Sequence, residues 1–155
     1  MENLCFGNEL STTILIQPVD DHDLGFIENE VKLISEFASP DFRLIALKVN
    51  NWNNDLSPWQ APPVFGKEGF GDGATDTLKE VLSLCADKNK TYYVGGYSLA
   101  GLFALWSAFQ TDVFAGAAAA SPSVWFPGFL EYMQSREVRS GAVYLSLGDR
   151  EEKTK

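Results

Sequence analysis

Ser98 is the residue whose neighbours could equip it for covalent chemistry. It stands in the stretch Gly95-Gly96-Tyr97-Ser98-Leu99-Ala100-Gly101, with a small residue two positions before it and another two after. A serine that follows an apolar strand and opens a helix, flanked in this way, fits the strained strand-to-helix turn known as a nucleophile elbow. Small neighbours are needed because the turn brings strand and helix backbones too close together for larger side chains. Such a turn would present Ser98 Oγ at the C-terminal edge of a sheet. It would also aim the N–H of Leu99, with the helix N-terminus behind it, at a developing oxyanion. Ala100 stands where the strict Gly-x-Ser-x-Gly pattern has its last glycine, and smallness is the property the turn demands. A serine that opens a helix also serves as an N-cap, so this second reading stays open beside the first.

An elbow needs a buried strand before it and a helix after it, and the pattern along the chain predicts both. Residues 12–17 (TTILIQ) are a nearly continuous apolar run that stops at Pro18, as expected of a strand covered on both faces. Leu24, Ile27, Val31, Ile34 and Phe37 then recur at three-four spacing along one face of a helix, with Asp21 or Asp23 as its cap and Pro40 ending it. Residues 42–49 predict the next strand, and 50–73 a long loop rich in Asn, Pro, Gly and aromatics, of a length usually functional or mobile. A helix over 75–85 with Leu78, Val81, Leu82 and Cys85 inward precedes the strand 91–94, which Gly95 and Gly96 close. A helix over 101–109, a small-residue strand over 114–120, a short helix over 129–134 and a last strand over 142–147 complete the chain. This alternation predicts one α/β domain, residues 1–155, with a mostly parallel sheet and helices on both faces.

Two further features of the loops carry expectations. Gly69-Phe70-Gly71-Asp72-Gly73-Ala74 formally matches a dinucleotide-binding pattern, but it follows a Pro-rich loop rather than a strand and is read as a flexible hinge. Trp52, Trp59, Phe65, Phe70, Trp125 and Phe126 fall on loops at one edge of the sheet, where they serve packing or line an aromatic or acyl pocket.

Composition narrows the function classes. With 155 residues, 45% of them apolar, the chain can bury a core of its own, and disorder is excluded. A net charge of -9 repels phosphate backbones and anionic lipid heads, so neither nucleic acid nor a membrane surface is an expected partner. Cys5 and Cys85 lie far apart and His22 is the single histidine, so no zinc site, other metal site, cofactor or disulfide framework is expected. Met1-Glu2-Asn3-Leu4-Cys5 has an early acid and no basic region, which does not read as a secretory signal. No run approaches the roughly 20 apolar residues of a membrane span, and a cytoplasmic location is expected.

Three stretches together resemble the esterase family of the α/β-hydrolases that includes the siderophore esterases and is similar to the mycolyl transferases. They are Gly96-Tyr97-Ser98-Leu99-Ala100-Gly101-Leu102-Phe103-Ala104-Leu105, Ala120-Ser121-Pro122-Ser123-Val124-Trp125, and Leu145-Ser146-Leu147-Gly148-Asp149-Arg150-Glu151. The resemblance covers about the second half of the chain, the first half fitting by strand-helix pattern only. It implies a three-layer α/β-hydrolase fold and a serine hydrolase that acts on small-molecule carboxylic esters through an acyl-enzyme on Ser98. It also implies that Leu99 and the loop after the first predicted strand, Pro18 to Asp21 with Val19 the chosen residue, supply the oxyanion N–H groups, although a carboxylate of Asp20 or Asp21 facing that point would repel the anion. The catalytic acid would follow the 142–147 strand, where family-like spacing selects Glu151, with Asp149 the runner-up and Glu152 a further candidate. A solvated acidic tail is the plain alternative for all three.

In this fold the general base follows one more strand, yet the sequence has no histidine after Glu151. His22 would lie near the elbow edge as a capping or surface residue among Asp20, Asp21 and Asp23, and not obviously as the base. The expectation is a C-terminally truncated hydrolase lacking the last strand and helix, with impaired turnover. The 142–147 strand would then be an exposed edge open to self-association. A decayed hydrolase fold that binds a ligand or partner without turnover is the alternative.

Overall fold

The computed structural model describes residues 1–64 and 66–149. Its elements run β1 (Glu2–Gly7), β2 (Thr13–Val19), α1 (Asp21–Leu24), α2 (Ile27–Phe37), β3 (Arg43–Lys48), α3 (Trp52–Asp55), α4 (Ala74–Ser83), β4 (Thr91–Tyr97), α5 (Leu99–Gln110), β5 (Phe114–Ala120), α6 (Phe129–Gln134) and β6 (Val143–Ser146). The strands form one six-stranded sheet in the order β1-β3-β2-β4-β5-β6. Only β1, on β3, is antiparallel; every other neighbouring pair is parallel. The mostly parallel α/β sheet expected from the alternation is therefore present, with β4, which leads into Ser98, inside it.

Alternation along β2 and β3 divides two cores. Ile14 and Ile16 with Leu47 and Val49 face the α4, α5 and α6 side, where the larger buried cluster lies. Val19, Leu44 and Ala46 face α2, where Ile27 and Phe42 join them and Val31 and Ile34 pack alongside. Period-two alternation assigns each set to one face. On the α2 side the covering stops short of β4, β5 and β6: Tyr93 is 38%, Tyr97 62% and Tyr144 63% exposed. Beneath them a groove of about 370 Å³ is lined by Leu15, Gln17, Glu30, Gly95, Tyr97 and Ala118, among others. β6 closes the described sheet on this side, with Leu145 and Leu147 also exposed.

Several expectations need correction. β1 was not foreseen; Leu4 and Phe6, two residues apart, turn to the α2-side core while Cys5 is exposed. β2 continues through Pro18 to Val19 instead of stopping. Val19 accepts a hydrogen bond from the Val49 N–H at 3.0 Å, so the backbone of Pro18 points the other way, toward β4. Pairing with β4 ends at Ile16, and a missing N–H there breaks no ladder bond.

The single helix expected over 24–37 is two, because Asp20 caps the short α1 through a reciprocal pair of bonds with Asp23 and the chain turns at Gly25 and Phe26. Phe37 at its far end is 80% exposed rather than inward. The 50–73 loop holds α3 and an Ala61–Phe70 bridge, and Asp55 accepts from the N–H groups of Asn50 and Asn51 at 2.9 Å each. In the stretch expected to be a hinge, Gly71 and Gly73 are packed instead: a Cβ on Gly71 would lie 1.9 Å from Asn54 Oδ1, and one on Gly73 2.7 Å from Asn54 Nδ2. No described helix is long and apolar enough to cross a membrane.

Candidate active site

β4 delivers Ser98 and α5 leaves from it, so the backbone has to reverse within one residue. Ser98 has φ 57° and ψ -117°, and with Ser121 it is one of two described non-glycine residues at positive φ. Backbone strain of this kind costs about 1–3 kcal/mol and persists only where the surroundings impose it. Here they do. The Ser98 N–H donates to the Ala120 carbonyl at 3.0 Å, and the Ser98 carbonyl accepts from the Leu102 and Ser123 N–H groups at 2.9 and 3.0 Å.

Although Ser98 occupies the N-cap position of α5, its side chain makes no capping bond. The geometry therefore favours the elbow over the simple cap. Its hydroxyl lies instead 3.3 Å from the hydroxyl of Ser123. Gly96 is small for the expected reason, since a Cβ there would come within 2.6 Å of the Ala100 carbonyl carbon and Cβ. Ten residues of α5, Leu99 to Ala108, are buried. Its first turn is thus held in place, with the Leu99 N–H at the dipole end adjoining Ser98.

The remaining expected site residues fare differently. Val19 lies at the end of β2, and its carbonyl accepts from Val49 across to β3. The parallel register with Leu47 and Lys48 directs its N–H to the same side, into the sheet ladder and away from the elbow. The reason is the unforeseen extension of β2 past Pro18, which keeps Val19 within the sheet. Asp149 is exposed at the end of the described chain. Glu151 and Glu152 lie outside the described residues.

His22 has an 80% exposed side chain that rests 5.2 Å from the Phe26 ring and 4.0 Å from Asp23. With Asp20 and Asp23 it forms the one grouping of three potential metal ligands among the described residues, their ligand atoms within 4.8 Å. The capping bonds of α1 already account for both carboxylates.

The aromatics resolve toward packing. Trp59 donates its Nε1–H to the Pro127 carbonyl at 2.9 Å and lies against Phe126, Phe129 and Tyr132. Phe70 meets Phe126 edge-on at 5.2 Å and Trp125 at 6.0 Å. Trp52 packs against the same core, and Phe65 is outside the described residues. Trp125, 43% exposed and two residues past Ser123, is the described member of this group that faces solvent most openly. On the α2 side, burial raises the carboxyls of Asp23 and Glu30 above their ordinary range, even though Gln17 donates to Glu30 at 3.2 Å.

Ser123 is the site residue that motif reading passed over. It lay inside the Ser121-Pro122-Ser123 stretch used for the resemblance, but only the fold brings it to Ser98.

No protein-family model matches the chain, and no curated protein matches it. Solved structures do. A siderophore hydrolase, EstB of Aspergillus nidulans, superposes with a TM-score of 0.63 at 19% identity, over 96% of this chain and 61% of its own. EstA, from the same organism, gives 0.60 at 20% identity over 94% and 59%. An IroE-like serine hydrolase from Shewanella oneidensis gives 0.67 at 16% identity over 86% and 50%. The chain thus spans half to three-fifths of the length of these structures. The fold they share with it is that of the α/β-hydrolases, and the strained turn at Ser98 lies between a parallel strand and a helix of that fold.

Proposed function

We propose that this chain is a serine hydrolase of carboxylic esters in which Ser98 is the nucleophile. The observation that carries the reading is the backbone of Ser98, held at positive φ between β4 and α5 with its hydroxyl not used as a cap. In the proposed reaction Ser98 Oγ attacks the ester carbonyl, the alcohol leaves, and water releases the acid from the acyl-enzyme. The Leu99 N–H stabilises the tetrahedral oxyanion. Glu151 is the proposed acid of the triad and Asp149 its substitute. We place the chain in the esterase family that includes siderophore esterases, which makes a siderophore ester one substrate class to test beside simple esters. The expected cytoplasmic location is part of the same proposal, open to cell fractionation.

Among the described residues no histidine stands beside Ser98, since His22 is the single histidine of the sequence and its contacts are with Phe26 and Asp23. General-base help is worth about 10²–10⁴-fold, so turnover by these 155 residues should be lower by that order than in a chain carrying a C-terminal histidine. The same observation favours the second reading, a hydrolase fold that binds a ligand without turnover. Assaying p-nitrophenyl acetate with the chain, with its Ser98→Ala variant and with a version extended past Lys155 separates them. Hydrolysis that disappears in Ser98→Ala and rises in the extended chain supports the esterase. Equal background rates in all three support the binding module. Self-association through β6 and its exposed Leu145 is proposed as well, and sedimentation at two concentrations tests it.

A further inference from the structure

We infer that Ser123 is a positioning residue for the nucleophile, holding the Ser98 hydroxyl in one orientation by donating its own O–H to it. The inference rests on the reading of Ser98 as nucleophile and adds a residue to that site. Ser123 is 1% exposed, and a hydroxyl at that depth needs a hydrogen-bond partner. Ser98 Oγ, at 3.3 Å, supplies one.

The backbone around Ser123 is built to keep the two hydroxyls together. Ser123 N–H donates to the Ser98 carbonyl at 3.0 Å, and Ala120, at the other end of the same short loop, accepts from the Ser98 N–H at 3.0 Å. The Ser123 carbonyl accepts from Phe126 at 3.0 Å and the Pro122 carbonyl from Val124 at 2.7 Å, so the loop is itself braced. Where a Cβ on Gly101 would lie, Pro122 Cα is only 3.2 Å away, which seats the loop directly on the first turn of α5. Residues 120–123 therefore grip Ser98 from both sides of its peptide.

The direction of the bond follows from the chemistry. As Ser98 gives up its proton it becomes an acceptor only, and Ser123 is then the donor. When the acyl-enzyme breaks down, Ser98 Oγ is the leaving atom, and the same O–H stabilises it as electrons return. An alkyl fluorophosphonate examines the first of these steps. Ser98 Oγ forms a bond to phosphorus, the P–F bond breaks, and fluoride and the serine proton depart to solvent.

The test measures saturable fluorophosphonate labelling of the wild-type chain, Ser98→Ala, Ser123→Ala and Ser123→Cys, with thermal melts of each. Ser123→Ala should lower the maximal labelling rate roughly fivefold, the loss of one neutral hydrogen bond, while leaving the half-saturating concentration near wild type and lowering the melt by only about 2–4 °C. Ser123→Cys keeps the side-chain shape, slightly enlarged, with a far weaker donor and should lose at least about twofold. Either folded variant labelling at the wild-type maximal rate overturns the inference. A weaker half-saturation with an unchanged maximal rate also overturns it. If Ser123→Ala does not fold, Ser123→Cys decides alone, and loss of folding in both assigns Ser123 to structure and overturns its positioning role. A wild-type chain that is not labelled, or a Ser98→Ala chain labelled equally, refutes the nucleophile reading itself and this inference with it.

Discussion

A methyl group on Gly96 would lie 2.6 Å from the carbonyl carbon and the Cβ of Ala100 and 2.7 Å from its carbonyl oxygen. Carbon atoms pack best at about 3.5–4.0 Å, so the start of α5 would have to move away from β4 by about 1 Å. Overpacking of this kind costs about 1–3 kcal/mol. With a urea dependence of about 1–3 kcal/mol per molar, Gly96→Ala should lower the urea midpoint by roughly 1 M. A shift of about 1 Å in a reacting group costs on the order of a hundredfold in rate, so labelling of Ser98 should fall much further than stability. Tryptophan fluorescence in urea and fluorophosphonate labelling in buffer read the two effects separately. Adding Ala100→Gly should not rescue either, because the Ala100 carbonyl carbon and oxygen remain in the way after its Cβ is gone. A Gly96→Ala chain with wild-type midpoint and wild-type labelling would refute the steric account of the elbow.

Burial raises the folded pKa of Glu30 above its ordinary 4.5, so the folded chain binds this proton more tightly than the unfolded one. Stability from Glu30 is fully present below the ordinary value and lost as pH rises through the raised one. Glu30→Gln should therefore stabilise the chain at neutral pH and flatten the rise in urea midpoint on acidification, which melts across that range will read. The Cys85 thiol is pushed up to about 12 by burial while Cys5 is exposed, so Ellman's reagent at pH 8 should titrate one thiol in buffer and two in urea. Trp59→Phe removes the Nε1–H bond to Pro127 and should cost about 1 kcal/mol in urea melts, with Ser98 labelling unchanged.

The elbow was legible because its requirements are local: a strand, a helix, and small residues at positions 96 and 100. β5 and α6 match the expected spans because their bounds follow composition and turn residues. What depended on neighbours was hidden. Pro18 reads as a stop, and only the end of β4 pairing at Ile16 explains why the strand continues. That extension is what removes Val19 from the proposed oxyanion site. α5 is buried on nearly every side, so no periodicity marks its first turn, and its start at Leu99 lies ahead of the expected 101. β1 borders the sheet, and its alternation of only two apolar positions, Leu4 and Phe6, is too brief to stand out. Ser123 meets Ser98 across 25 residues of chain, a closeness that no spacing rule announces.

Peptide mapping by mass spectrometry after exhaustive fluorophosphonate treatment tests the central claim most directly. A single phosphonyl adduct per chain is expected, on the peptide containing Ser98, and none in Ser98→Ala. An adduct on another residue, or an unmodified wild-type chain under conditions that label a known serine esterase, would contradict it.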